Sequence, residues 1–512
     1  IATHNEDVNI LYNTLNACTY LDYPDKSKVH IHVCDDGNRP EVKDLADRLG
    51  INYIGFPEPK FAKAGNLNNA IAQTNSPLLA FLDADMIPRR EFLTYVAPYF
   101  YLPVLKKLDN GKWVKRSPEE IDPDYKIGFV QAPQNFYNPD LFQFNLYAEQ
   151  RIPNEQIYFF REVNTSRNDA NSSILCGSGF IANRQAMAEA GNFATNTITE
   201  DFETGINIQN AGYCTYSIQE ELVNGLAPET IPDLIAQRER WGRGGMQTFR
   251  NVRPFFDSRI PIRRRIFYLC SVFYWLSFFC RFIFIMAPIL VALFNVYLVE
   301  TSLLELLTFW LPYYVLHSIA FKRLSGKTRT VNWSNVFDTV MFPFLFIPVM
   351  LEMAGIRMQR FRVTGKGKSK QTSTKPSLIL PHALMLALSL IAIVYCLVDV
   401  LQYNMPYNVF ILFWLFLNSK NLLMAIFFML GRVNERFTYR STASVAAELE
   451  VDGQVYTGRT TDISEGGCSL ALDYPAYVPT ETKVAVRLFD RGYQASFLCS
   501  LVQVRRTKQS DW

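Results

Sequence analysis

The sequence predicts an α/β domain, then a helical membrane region, then a small β-barrel. Three observations carry this. Residues 1–250 alternate apolar runs of strand length with helical patterning. Residues 266–430 are dominated by Phe, Leu, Ile and Val. From about 431, short alternating strands are separated by polar or glycine-containing turns. The expected divisions are 1–250, 251–430 and 431–512, because 512 residues exceed one ordinary core. A formal net charge of +3 is nearly neutral and gives no general case for nucleic-acid binding.

In the first domain, the chain opens on Ile1-Ala2-Thr3-His4-Asn5-Glu6, which reads as the end of a first strand. A preceding portion is therefore expected, and whether it carries membrane helices is left open. The runs 29–33 and 78–82 are strands closely followed by acids, at the strand ends where open α/β sheets place ligands. Residues 103–126 read as a polar surface excursion. A helix starts near Thr199, which can cap it, with Asp201 and Glu203 in its positive first turn. The cysteines form no CxxC pair and several lie in apolar runs, so they read as reduced, buried thiols of a cytosol-facing protein.

After Arg263-Arg264-Arg265 four spans are expected, near 281–298, 303–321, 379–402 and 408–430. Residues 266–280 carry aromatics and abut Arg281, which reads as an interfacial helix. Residues 335–356 are apolar enough to span. With four spans, however, every Lys/Arg cluster falls on one side, which is the cytoplasmic side. Pro343 and Pro348 further suggest a broken interfacial segment there. Runs at 444–451, 484–488 and 495–504 supply barrel strands.

The motifs are more specific than the elements. Asp35-Asp36-Gly37, Asp83-Ala84-Asp85, Thr199-Glu200-Asp201 and Gln237-Arg238-Glu239-Arg240-Trp241 stand in order, and apolar spans follow at once. A lone DxD is usually a solvated turn, a lone lysine in a turn is usually surface, and a lone Trp near a membrane is usually a belt residue. Together the four strings resemble those of the processive family-2 glycosyltransferases, in particular the bacterial cellulose synthase catalytic subunits. The resemblance implies a GT-A glycosyltransferase domain that polymerises glucose from UDP-glucose with inversion and conducts the glucan across the inner membrane.

Its chemistry gives each motif a task. Asp83 and Asp85 can present oxygens to a Mg²⁺ or Mn²⁺ that bridges the leaving diphosphate. Asp201, beside Glu200, is the candidate base for the acceptor hydroxyl. Trp241 offers a face for a sugar ring, and Arg238 and Arg240 can neutralise phosphate. The resemblance places Asn5, Glu6, Asp35, Asp36, Lys63 and Gln237 at the nucleotide sugar, and Cys176 on a loop lining the acceptor site. Phe361-Arg362-Val363-Thr364-Gly365-Lys366-Gly367 matches a gating loop, with Thr364 and Lys366 against substrate; its plain alternative is a basic juxtamembrane loop on anionic lipid.

At the C-terminal end, Arg436-Phe437-Thr438-Tyr439-Arg440 fits RxxxR, and Asp462, Ser464 and Gly467 lie in or beside a DxSxxG string. The pair resembles a PilZ domain, which implies cyclic di-GMP as allosteric activator, held by guanidinium forks. Glu229 is then implied to pair with a PilZ arginine in the resting state. Membrane lipid and an accessory subunit are further implied partners. The chain departs from the pattern at His4, Met86, Ser173-Ile174-Leu175 and Glu435. The first three lie at or near the implied active site. A β-1,3-glucan (curdlan-type), mixed-linkage or amino-sugar polymer therefore stands beside cellulose as product, and a non-catalytic cyclic di-GMP receptor or scaffold is the non-enzyme alternative.

Overall fold

The computed structural model describes residues 1–149, 151–296, 302–356, 375–403, 407–432, 440–464, 466–474, 479–490 and 492–504. The chain forms two compact units, Ile1–Val433 and Asn434–Trp512.

The first unit begins with a parallel sheet in the order Ala2–Thr3, His32–Asp35, Asn52–Gly55. Helices Val8–Thr19 and Pro40–Leu49 make the crossovers. The second has proline in its first turn and ends on Gly50 at φ 65°, a left-handed stop that glycine adopts without strain. The expected strand at 29–33 lies three residues later. Ala2 pairs with Cys34 and Thr3 with Asp35, so the ladder extends up to the acid itself.

A second sheet has the order Cys214–Ser217, Ile127–Gln131, Phe180–Asn183, Leu78–Phe81. Phe180–Asn183 runs antiparallel to both neighbours. One parallel bridge, Ala2 to Asp83, joins the two sheets, so their seam passes through the first acid of the DxD string. Phe129, Val130, Phe180 and Ile181 are buried on this sheet, each side chain contributing roughly 1.5–3 kcal/mol by leaving water. The excursion after residue 103 is a small hairpin, Leu105–Lys107 against Trp113–Lys115.

Two helices lead from this domain into the apolar region. Ile231–Val252 starts at Thr230, whose side chain accepts from Asp233 N at 3.3 Å. Ile262–Phe294 is a single 33-residue helix, so the expected change near 280 from an interfacial helix to a span is absent. The charge on Arg281 does not break it, because the guanidinium is buried against Thr339 Oγ1 (2.7 Å) and the Asn335 carbonyl (3.0 Å).

Val331–Met353 likewise runs unbroken through Pro343 and Pro348. Among the described residues, four helices are long and apolar enough to cross a membrane: Ile262–Phe294, Val331–Met353, Pro376–Gln402 and Asn408–Leu430. That set differs from the expected one. It takes in Val331–Met353, and Leu303–Ser325 is a further 23-residue helix that covers the expected span 303–321.

The second unit is an antiparallel sheet in the order Ser441–Thr442, Gln454–Ser464, Ala446–Val451, Lys483–Asp490, Tyr493–Ser500. Gly467–Leu472 pairs back on Gln454–Ser464. Leu449, Val451, Val484 and Val486 alternate inward to form its core. This is the small barrel-type sheet the strand pattern predicts.

Candidate active site

The predicted acids gather where the strands of the joined sheets end. Asp35 closes its strand fully buried, and its carboxylate accepts from Gly37 N (3.2 Å), Arg39 N (2.6 Å) and Tyr53 Oη (3.2 Å). Asp36 receives His4 Nδ1 at 2.6 Å, so the departure at His4 fills a defined contact. Burial raises the Asp36 carboxyl above its ordinary range, against the pull of His4. Glu6 turns back to the chain, accepting from His4 N (2.7 Å) and Thr3 Oγ1 (2.9 Å). Asn5 is exposed beside it.

Lys63 ties three motifs together. Its Nζ donates to Asp83 Oδ1 at 2.5 Å and to the Gly177 carbonyl at 2.7 Å. Burial opposes the charge, but Asp83, Glu200 and Asp201 outweigh it and hold the ammonium above its usual range. Gly177 has φ 75°, and a Cβ built there would lie 2.7 Å from Asp201 Oδ2. Cys176-Gly177-Ser178 is thus pressed directly against Asp201. Buried Ser178 accepts from Asp83 N at 2.9 Å, and Gln131 and Gln134 hold the Cys176 backbone at 2.9 and 2.6 Å. Ser178 belongs to the Cys176-Gly177-Ser178 loop expected from sequence, whereas neither glutamine was singled out: Gln131 ends one strand and Gln134 begins the next.

Burial, then Glu200, pushes the Asp201 carboxyl up to about 7, against Lys63 and Arg240. A carboxyl titrating there is suited to take a proton near neutral pH. Burial, then Asp201, raises the Cys176 thiol, so it stays neutral. Thr199 sits at the start of helix Glu200–Asn210 but its side chain makes no capping bond. It packs instead on Gly244, where a Cβ would come within 2.3 Å of it.

The two arginines of the Gln237–Trp241 string part company. Arg240 faces the Asp201 side, where its charge is felt. Among the described residues its buried Nε and the buried Gln237 Oε1 have no hydrogen-bond partner, as is also true of Arg238 Nε. Arg238 points elsewhere: it is buried, paired with Glu155, and its Cζ lies 4.4 Å from the Trp241 ring centroid. Glu155 carried no sequence signal.

The donor set at Asp83 and Asp85 is hard oxygen, as Mg²⁺ or Mn²⁺ requires. Among the described residues no group of three His, Cys, Asp or Glu stands together to hold a metal. Two carboxylates one residue apart supply oxygen donors of the kind a divalent cation takes.

In the second unit Arg440 donates to Asp462 Oδ1 (3.1 Å) and Ser469 Oγ (2.9 Å), and Ser464 Oγ donates to the Gly467 carbonyl (3.0 Å). The two predicted arms of this site thus meet in one ion pair. Thr364, Lys366 and Arg436 lie outside the described residues, and Glu229 is partly buried ahead of Thr230.

Residues 1–103 match the family model for glycosyl transferase family 2, residues 112–321 that for glycosyl transferase family group 2, and residues 434–511 that for the PilZ domain. The chain is similar to the cellulose synthase catalytic subunit (UDP-forming) of Pseudomonas fluorescens, 29% identical over 97% of this chain and 65% of that one. It is 31% identical to the cellulose synthase 1 catalytic subunit of Komagataeibacter xylinus, over 94% of this chain and 62% of the other. It is also 31% identical to cellulose synthase 1 of Novacetimonas hansenii, over 95% of this chain and 30% of the other. The chain spans less than two thirds of the length of each. With a GT-A domain that carries the acids in order, followed by apolar helices, the chain belongs to glycosyltransferase family 2, in its cellulose synthase-like group, and bears a C-terminal PilZ domain.

Proposed function

We propose that the protein is a processive, inverting β-glucan synthase that polymerises glucose from UDP-glucose and is activated by cyclic di-GMP. The observation that carries the reading is the junction at Lys63, where one ammonium links Asp83 to the Gly177 carbonyl while Gly177 abuts Asp201. A base, a phosphate-side acid and a fixed cation then share one pocket edge.

In the proposed reaction the acceptor hydroxyl oxygen attacks the anomeric carbon from the face opposite UDP. Its proton passes to an Asp201 oxygen, the bond from the anomeric carbon to the diphosphate oxygen breaks, and UDP leaves with the electron pair. Lys63 and Arg240 supply positive charge as the diphosphate develops its own. A Mg²⁺ or Mn²⁺ on Asp83 and Asp85 would add Lewis-acid stabilisation of the same oxygens. Trp241 holds the terminal sugar of the acceptor.

The apolar bundle supports polymer passage. Among the described residues, His382 Nδ1, Ser389 Oγ, Asn418 Oδ1, Ser419 Oγ and both amide atoms of Asn421 are buried there without partners. Unsatisfied polar groups among membrane helices are costly and commonly mark a path for a hydrophilic substrate. The reading places the catalytic and PilZ domains on the cytoplasmic face of a bacterial inner membrane, the side on which Arg263-Arg264-Arg265 precedes the first apolar helix.

A β-1,4 product is favoured. Incorporation of label from UDP-glucose into insoluble polymer tests the activity, and digestion by linkage-specific glucanases separates β-1,4 from β-1,3 or mixed linkage. No incorporation with or without cyclic di-GMP would leave the receptor-scaffold alternative standing.

A further inference from the structure

Arg238 and Trp241 are three residues apart on helix Ile231–Val252, so their side chains meet on one face. The guanidinium lies over the indole at 4.4 Å from its centroid, a cation–π contact in a largely desolvated setting. The guanidinium is held in turn. Its Nη2 donates to Glu155, and both partners are nearly buried, at 7% and 12% side-chain exposure.

Glu155 is itself fixed from two sides. Its backbone N–H donates to Asp140 Oδ2 at 2.6 Å, and Arg329 Nη1 lies 3.9 Å from its Oε1. Arg238 and Arg329 both approach the ring of Phe337, at 5.9 and 5.2 Å. The Gln237–Trp241 helix, the segment after Asp140 and the start of helix Val331–Met353 thus converge on one carboxylate.

We propose that Glu155 and Arg238 are positioning residues for Trp241: the neutralised guanidinium backs one face of the indole and fixes its plane, so that the ring meets the acceptor sugar in one orientation. This rests on the reading of Trp241 as the sugar-facing ring. It divides the motif's arginines, with Arg240 serving the diphosphate and Arg238 the aromatic platform.

The test uses the full chain in membranes and two readouts, polymer synthesis from UDP-glucose and binding of UDP alone. Arg238→Met keeps the alkyl volume and leaves Glu155 paired with Arg329. It should lower kcat for polymer about tenfold while UDP affinity and KM for UDP-glucose stay within about twofold. Arg238→Lys, which keeps a cation over the ring, should recover most of the rate.

Glu155→Gln should reproduce the loss and answers the same question if Arg238→Met fails to accumulate. Tenfold weaker UDP binding in Arg238→Met would make Arg238 a phosphate ligand and overturn the proposal, as would a wild-type rate. A wild-type chain that makes no polymer from UDP-glucose sinks the functional reading instead, and the UDP-binding arm still decides the assignment of Arg238.

Discussion

Gly177 and Asp201 approach so closely that a methyl group on the first would stand 2.7 Å from an oxygen of the second. Their closeness joins a left-handed turn in the sheet domain to the first turn of helix Glu200–Asn210.

Gly177→Ala should therefore abolish synthesis, by about 100-fold or more, since it strains a positive φ and displaces the proposed base. Cyclic di-GMP binding by the same protein should be retained, because Gly177 lies in the unit Ile1–Val433 whereas Arg440 and Asp462 lie in Asn434–Trp512. Labelled polymer and labelled cyclic di-GMP, measured side by side, check both halves.

The pH dependence follows from Asp201. A base acts deprotonated, and its carboxyl titrates at about 7. Synthesis should therefore fall as pH drops through about 7, tenfold per pH unit on the acid side. Initial rates from pH 5.5 to 8.5 show this; an acid limb in the ordinary carboxylate range near 4 would contradict it. Asp201→Asn should lose about 10²–10⁴-fold and have no such limb, with UDP binding nearly intact.

Asp85→Asn should behave differently. It removes an oxygen donor and not the base, so UDP binding in Mg²⁺ should weaken toward the value found in EDTA. Titrations with and without metal would expose the error if the variant kept the wild-type metal dependence.

Glu352, fully buried, takes Arg243 Nε at 3.4 Å and Arg250 Nη2 at 3.2 Å. Glu352→Leu takes a buried carboxylate from the nearly buried Arg243, and should destabilise the first unit by about 3 kcal/mol. Thermal unfolding in detergent measures it. Adding Arg243→Leu should restore part of the loss, because the stranded charge goes with it.

In the receptor unit, Arg440→Ala removes the ion pair to Asp462 and the bond to Ser469. Cyclic di-GMP affinity should fall at least tenfold, about the loss of one charge-assisted phosphate contact. Calorimetry on the full chain gives the number, and wild-type affinity would place the ligand elsewhere.

Local pattern made the chemistry legible at some places and hid it at others. The acids were readable because a short apolar run ending in Asp is a local signal: Leu78–Phe81 delivers Asp83, and His32–Asp35 delivers Asp35. Two of the four apolar helices also stand close to their expected limits, at Pro376–Gln402 and Asn408–Leu430. The continuity of Val331–Met353 was not readable. Pro343 and Pro348 signal a break, yet packing of Phe337, Val340, Phe342 and Leu345 into the main helical core holds the segment as one helix. Thr199 had a capping residue's composition, but the close approach of Gly244 decided where its side chain goes. Glu155 could not be found at all, since its meaning depends on Arg238, 83 residues away.

The lone bridge between Ala2 and Asp83 bears on how this enzyme family can be recombined. The half-sheet bearing Asp35 and the half-sheet bearing Phe129 and Phe180 look like exchangeable modules, and a chimera joined between residues 73 and 77, after helix Ala62–Ala72, would cut no helix or strand of either. Yet the backbone contact that aligns the halves is made by the residue that faces the diphosphate in the proposed reaction. A mismatch at the join would leave two well-formed halves and an acid a fraction of an ångström out of place, so such hybrids should fold, bind nucleotide and fail to turn over.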